Sequence, residues 1–287
     1  MRIVDVHHHC FPIGAKVKSW NMLEDEQMMN KVEVTEVILS CPLRVDSLIA
    51  KEYNNFIWKN CETSKRYHML VCLGYDDIES SLKEIDKYKD RAVGFALNTH
   101  NYDTYLGDDH IAPLLDKLNE INAVVVVHPN HFRASANQKV VFTGNDSVYE
   151  YTFDTARAML DLVLQGKIKR WSSIKWVLPH AGGVIPFLAH RVAVSSLWGC
   201  TDMTETEIME DLKSFYYDLA LNHSECNYQF MKSFVSPNHL LYGADYPNSG
   251  DVLLERDLNY FLNEEVFTSE EKGMILHGNA ERLFGLK

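Results

Sequence analysis

Ile3-Val4-Asp5-Val6-His7-His8-His9 is the stretch on which the reading of the fold turns. Its first four residues read as a short buried strand. Side chains alternate along a strand, so His7 and His9 point to one face and His8 to the other. Two imidazoles on one face, at the C-terminal end of a strand, are two ready metal ligands. The remnant of a purification tag would not continue a strand and run on into Cys10-Phe11-Pro12. The rest of the chain must supply the other ligands.

Outward from that first run at 3–7, further β-branched runs follow at 35–40, 68–74, 92–98, 123–128, 174–179, 214–220 and 240–244. Helical patterns such as 78–88, 111–121 and 155–164 lie between them. The last has apolar residues at 156, 159, 160, 163 and 164, the stripe of a half-buried helix. Asp77 and Asp154 stand where N-caps belong. Strands alternating with helices imply a parallel sheet. Eight such units within 287 residues point to the α/β class and a closed (β/α)8 TIM barrel, read as one domain over 1–287. An open doubly wound sheet is the alternative, but no GxGxxG follows the first strand.

Composition narrows the function classes. The chain is 46% hydrophobic and 24% charged, as globular proteins are, and its formal net charge of -12 argues against nucleic acid and anionic membranes as partners. No apolar run approaches the ~18–20 residues needed to span a bilayer. Asp5 and the histidines interrupt any signal-peptide core, so no secretory leader is expected. The six cysteines show no CxxC pairing and read as reduced thiols, which suits the cytoplasm.

In a (β/α)8 barrel, catalytic groups sit at the C-terminal ends of strands. The fifth run ends on His128, the sixth leads into Pro179-His180-Ala-Gly-Gly183, and the eighth leads into Tyr242-Gly-Ala-Asp245. With His7 and His9, five metal-competent side chains converge on one rim. A lone histidine after an apolar strand is more often a core or cap residue. Four strands ending this way are not readily a coincidence, and a metal site follows.

The ordered set, HxH on strand one, His on five, His on six and Asp on eight, resembles the amidohydrolase superfamily. The wording around it, Val4–Pro12, Tyr105-Leu-Gly-Asp108, Val124–Pro129, Phe153-Asp-Thr155, Pro179–Gly183 and Tyr242–Pro247, is similar to the amidohydrolase-related branch. That branch includes aminocarboxymuconate-semialdehyde decarboxylase, resorcylate decarboxylases and 6-methylsalicylate decarboxylase. The resemblance implies that His7, His9 and His128 bind the metal, with Asp245 as the fourth protein ligand or against it. Asp245 and His180 are the implied catalytic residues, His180 moving a proton while direct ligation by it stays open. Binuclear members carry a lysine at the end of strand four; here that strand ends Asn98-Thr99-His100, which implies one divalent ion per chain. Zn2+ is the first choice and Mn2+ accepts the same donors.

Substrate contacts are carried over more thinly. Arg191, eleven residues after His180, matches an arginine that in one relative reaches across a dimer interface to a substrate carboxylate; a solvent-facing helix arginine is the alternative. A homodimer is accordingly expected, with Trp171, Phe187, Leu188 and Trp198 around the segment. Phe11, Trp20 and His131 are candidate pocket walls or plain packing. Lys16 and Lys18 lie in the loop after strand one, which helps cover the site in relatives but is short here. Cys10 reads as packing.

Two chemistries fit the cage. In a decarboxylase of a small aromatic or unsaturated carboxylic acid, Asp245 or His180 delivers a proton to the carbon that loses CO2. In a hydrolase of a lactone, ester or amide, activated water attacks the carbonyl. The wording favours the decarboxylase. A hydratase of a dicarboxylic acid is a third reading, and binding without turnover a fourth.

Overall fold

A computed structural model describes residues 1–12, 20–43, 46–130 and 145–287. Eight parallel strands follow one another around a barrel: β1 Val4–His9, β2 Glu36–Ser40, β3 Tyr67–Cys72, β4 Gly94–Asn98, β5 Val124–His128, β6 Lys175–Leu178, β7 Tyr216–Asp218 and β8 Leu240–Leu241. The ring closes between its ends. Val6 N–H donates to the Tyr242 carbonyl at 3.0 Å, Asp245 N–H to the His7 carbonyl at 2.8 Å and His9 N–H to the Tyr246 carbonyl at 2.7 Å. The closed (β/α)8 barrel expected from the strand count is therefore the observed fold, and the open sheet is not.

Two apolar layers hold the barrel. Val4, Val6, Ile38, Leu70, Val124, Val126, Val177 and Leu241 fill its interior, joined by Ala280 and Phe284 of the C-terminal helix Asn279–Phe284. A larger layer packs the outer strand faces against the surrounding helices. Because parallel strands are covered on both sides, they read as continuous apolar runs. Burial of apolar area contributes roughly 25 cal/mol per Å².

Several helix starts follow the capping rules. Asp77 accepts from Ser80 N and caps Ile78–Tyr88. Asp154 does not cap its helix, contrary to expectation. The helix runs Glu150–Leu164, and Asp154 lies inside it with a fully buried side chain. Its carboxylate instead accepts from the hydroxyls of Thr99 and Tyr105 and lies 3.1 Å from His100 Nδ1, tying the helix to the turn after β4. Three donors outside the helix outweigh the one backbone amide that a cap would satisfy.

Asp211, on the helix Glu205–Ser214, gives a stability test away from the rim. It is buried, and its Oδ2 has no hydrogen-bond partner. Burial pushes its pKa up to about 6, against the pull of Lys169 and helped by Glu207 and Glu210. The folded carboxyl thus holds a proton that the unfolded one, with a pKa of about 3.9, has released. Its contribution to stability falls as pH rises through that window, and the penalty stands in full above about pH 6. Asp211→Asn should raise Tm by roughly 1–3 °C at pH 7.5 and by nothing near pH 4 in a calorimetric scan. An equal gain at both pH values would reject this cause.

Candidate metal centre

The cage forms where the first and last strands meet. One ligating atom from each of His7, His9, His128 and Asp245 lies within 4.8 Å of the others, and all four residues are buried. The imidazole centroids of His7 and His9 are 4.9 Å apart, as are those of His9 and His128. Close backbone approach makes room for this crowding. A Cβ on Gly243 would stand 2.8 Å from His7 Cβ and 3.2 Å from Asp218 Cβ, and one on Gly183 would stand 2.3 Å from the Thr152 carbonyl oxygen.

Each cage histidine has its Nδ1 engaged from behind. His7 Nδ1 is 2.9 Å from Asp218 Oδ2, His9 Nδ1 is 2.9 Å from Ser40 Oγ, and His128 Nδ1 is 2.8 Å from the Pro129 carbonyl oxygen. Such partners set the ring orientation and leave Nε2 for the ion. Nε2 of His7 is buried without a hydrogen-bond partner, and that of His9 has only Asp245 Oδ1 nearby, at 3.1 Å without hydrogen-bond geometry. Buried polar atoms are rarely left so, and a cation between them and the carboxylate satisfies them. The donor set of three imidazoles and one carboxylate fits a single divalent ion. Among the described residues, this is the group of His, Cys, Asp and Glu that converges in this way.

Electrostatics differ around the ring. Burial, with His9 and His7 beside it, holds His128 well below the usual imidazole range, and burial takes His9 down to about 4. His7 is lowered by burial but raised more strongly by Asp218, ending at about 9. Asp245 is pushed up by burial yet held well below the usual carboxylate range by His180 and His9. Two neutral imidazoles and one carboxylate are thus ready donors, while an ion bound there would have to displace a proton from His7.

His180 stands beside the cage. Its Nε2 lies 3.5 Å from Asp245 Oδ2, its ring centroid is 4.9 Å from that of His7, and its backbone N–H donates to Asp218 Oδ1 at 2.9 Å. His180 and Asp245 both adopt left-handed backbone, at φ 54° and 55°. Non-glycine residues held there cost free energy and concentrate at working sites.

The remaining expected site residues are spread more widely. Phe11 is buried with its ring 6.5 Å from that of His9, so it lies next to the cage. Trp20 is not brought there. Its indole donates to Asp25 Oδ1 at 2.9 Å and packs against Phe56 and Tyr67, on the side toward which His8 points. Arg191 sits exposed on the helix Ile185–Ala193 with its guanidinium 5.7 Å from the Trp198 ring centroid. His131, with Lys16 and Lys18, lies outside the described residues. Trp171, expected near an interface, is buried and donates to Asp116.

Asp218 and Ser40 were not anticipated. Both end strands, β7 and β2, so the strand-end rule that found His128 also reaches them. Cys10 is buried, and burial pushes its thiol well above its ordinary range, as suits packing. All six cysteines are free.

Comparison with known proteins gives the family and the fold. A family model described as amidohydrolase matches residues 4–286. A 6-methylsalicylic acid decarboxylase of Penicillium expansum is 26% identical, over 99% of this chain and 96% of its own. The structure of a 5-carboxyvanillate decarboxylase of Sphingomonas paucimobilis superposes with a TM-score of 0.88 at 17% identity, covering 100% of this chain and 99% of its own. A dihydroxybenzoic acid decarboxylase of Polaromonas sp. JS666, solved with manganese and the inhibitor 2-nitroresorcinol, gives a TM-score of 0.85 at 16% identity, covering 99% and 97%.

Proposed function

Since the chain belongs to the amidohydrolase family, matched over residues 4–286, we propose that it is a metal-dependent decarboxylase of a small aromatic carboxylic acid. The observation that carries this reading is the single cage of His7, His9, His128 and Asp245 with His180 against the carboxylate. The names of the relatives, decarboxylases of 6-methylsalicylic, 5-carboxyvanillic and dihydroxybenzoic acids, support it. β4 ends on Asn98 rather than lysine, in keeping with one ion instead of two.

When bound, the ion supplies a Lewis acid that orients and polarises a substrate oxygen. The protein supplies the rest. His7, His9 and His128, with Asp245, would hold the ion, while Asp218, Ser40 and the Pro129 carbonyl fix the three rings. The Asp245–His180 pair holds the proton. As the bond from the ring carbon to the carboxyl carbon breaks and CO2 leaves, that proton forms the new C–H bond, and solvent restores it to the pair. Phe11 forms an apolar wall beside His9.

The nitrogen-rich donor set suits Zn2+. Mn2+ is the second reading, favoured by the Polaromonas structure. Elemental analysis of protein purified without added metal separates them. We further propose one barrel domain over 1–287 acting in the cytoplasm as a homodimer; the free thiols fit a reducing compartment. Among the described residues, no helix is long and apolar enough to cross a membrane. The dimer face contains Phe187 and Leu197, exposed by 82% and 74%, beside Arg191 and Trp198. Arg191 then serves a neighbour's site. Arg191→Ala should raise KM for an aromatic acid about tenfold or more, with a small change in kcat. An unchanged KM rejects the role.

The deciding experiment incubates the metal-loaded protein with hydroxybenzoic acids and with lactones. Release of CO2 with formation of the phenol is expected. Hydrolysis of a lactone without CO2 would overturn the decarboxylase reading.

A further inference from the structure

His8 is not a cage ligand, yet it is among the most engaged side chains of β1. Its Nδ1 lies 2.8 Å from Asp5 Oδ2 and its Nε2 lies 2.9 Å from Asp25 Oδ1. Asp25 also accepts from Trp20 Nε1 and from the Tyr67 hydroxyl, each at 2.9 Å. Asp5, His8 and Asp25 are 1%, 2% and 2% exposed. A buried network of this kind is costly unless its members are paired, and here they are.

The register of β1 shows what the network does. Asp5 faces Val37 of β2, but His8 faces Leu39, so three steps along β1 match two along β2. One residue is extra, which is a β-bulge. Val4 and Val6 point into the barrel. Unbroken alternation would send His8 in after them and His7 and His9 out. The bulge reverses this, so that His7 and His9 face the cage and His8 faces Asp25.

A bulge frees backbone groups from the ladder, and Asp5 takes one of them. Its Oδ1 accepts the His7 N–H at 3.0 Å. The same oxygen accepts the N–H of Ala244, the residue before Asp245, also at 3.0 Å. One carboxylate oxygen therefore grips the backbone of a histidine ligand and the backbone entering the carboxylate ligand, on opposite sides of the ring closure.

We propose that Asp5, held by His8 and Asp25, is a positioning residue that sets the spacing between His7, His9 and Asp245 and so tunes metal affinity. This rests on the metal cage and is independent of which acid is decarboxylated. Partners behind a metal site commonly change affinity by about 10–100-fold.

The test compares Mn2+ affinity, by competition with a chelator, in wild type, Asp5→Asn and His8→Gln. Asp5→Asn should raise Kd at least tenfold and alter the Mn2+ paramagnetic resonance spectrum. His8→Gln, which leaves both backbone contacts of Asp5 in place, should raise Kd less. Leu118→Ala, in the buried layer outside the strands, is the control for lost stability and should leave Kd unchanged. A folded Asp5→Asn with Kd within twofold of wild type overturns the proposal, as does a Leu118→Ala variant that weakens binding equally. Should Asp5→Asn not fold, His8→Gln within twofold of wild type overturns it instead. Wild type that holds no Mn2+ or Zn2+ refutes the cage itself.

Discussion

Asp245→Asn is expected to lower kcat by about 10³-fold, within the 10²–10⁴ range for a positioned acid or base. The substitution keeps the shape of the side chain and its oxygen toward the cage. Asp245 Oδ1 lies 3.1 Å from His9 Nε2 and Oδ2 lies 3.5 Å from His180 Nε2, so one oxygen is turned to the cage histidines and the other to the proton partner. The amide removes the charge that faces His180 and puts a group there that cannot take up and return a proton. Two readouts separate this from loss of the ion. Metal content per chain should fall little, because one oxygen donor remains, while turnover of an acid that wild type decarboxylates collapses. A kcat within tenfold of wild type, at equal metal content, would remove Asp245 from the proton path.

The second large effect is on the ion. Wild type should bind one divalent ion per chain, and His128→Ala should weaken binding by more than ~100-fold, since losing a direct ligand exceeds the usual loss of a partner behind one. His128 is a strong case because its Nδ1 is taken by the Pro129 carbonyl and burial keeps the ring neutral, so Nε2 is free to donate. Removing it leaves His7 and His9 on one strand and Asp245 beside them, with β5 no longer contributing. Activity should fall with metal content, and neither should recover at ion concentrations that saturate wild type. Two tightly bound ions in wild type would overturn the single-ion cage. An undiminished ion in His128→Ala would remove that residue from it.

Much of this was legible in the sequence, for identifiable reasons. Parallel strands buried on both sides stand out as apolar runs, and the barrel puts its chemistry at their ends. His128, His180 and Asp245 were found by that rule, and Asp218 and Ser40 obey it too. His7 and His9 share one face, as alternation from 7 to 9 requires, but that face is the cage only because a bulge intervenes. Counting from Val4 and Val6, which fill the barrel, alternation gives the opposite answer. An extra residue of that kind is a property of two strands at once and leaves no mark in either alone. Asp154 shows the complementary difficulty. Its position suits a cap, but its partners Thr99, His100 and Tyr105 are about fifty residues away. Trp20 likewise follows Asp25 and His8 outward, because a hydrogen bond to its indole is available there and an aromatic type alone does not say which side of a wall it joins.

The ring closure has a consequence for how the protein comes into being. His7 and His9 stand on the first strand of the barrel and Asp245 follows the eighth, and the described hydrogen bonds that close the barrel run between Val6–His9 and Tyr242–Tyr246. The four-residue cage therefore cannot assemble on a nascent chain until all eight strands of the barrel have been made. An ion held there would be a clasp between the first and last strands of the barrel, on top of the hydrogen bonds that close it. A chain truncated before Asp245 would keep all three histidines and still lack the carboxylate that completes the cage.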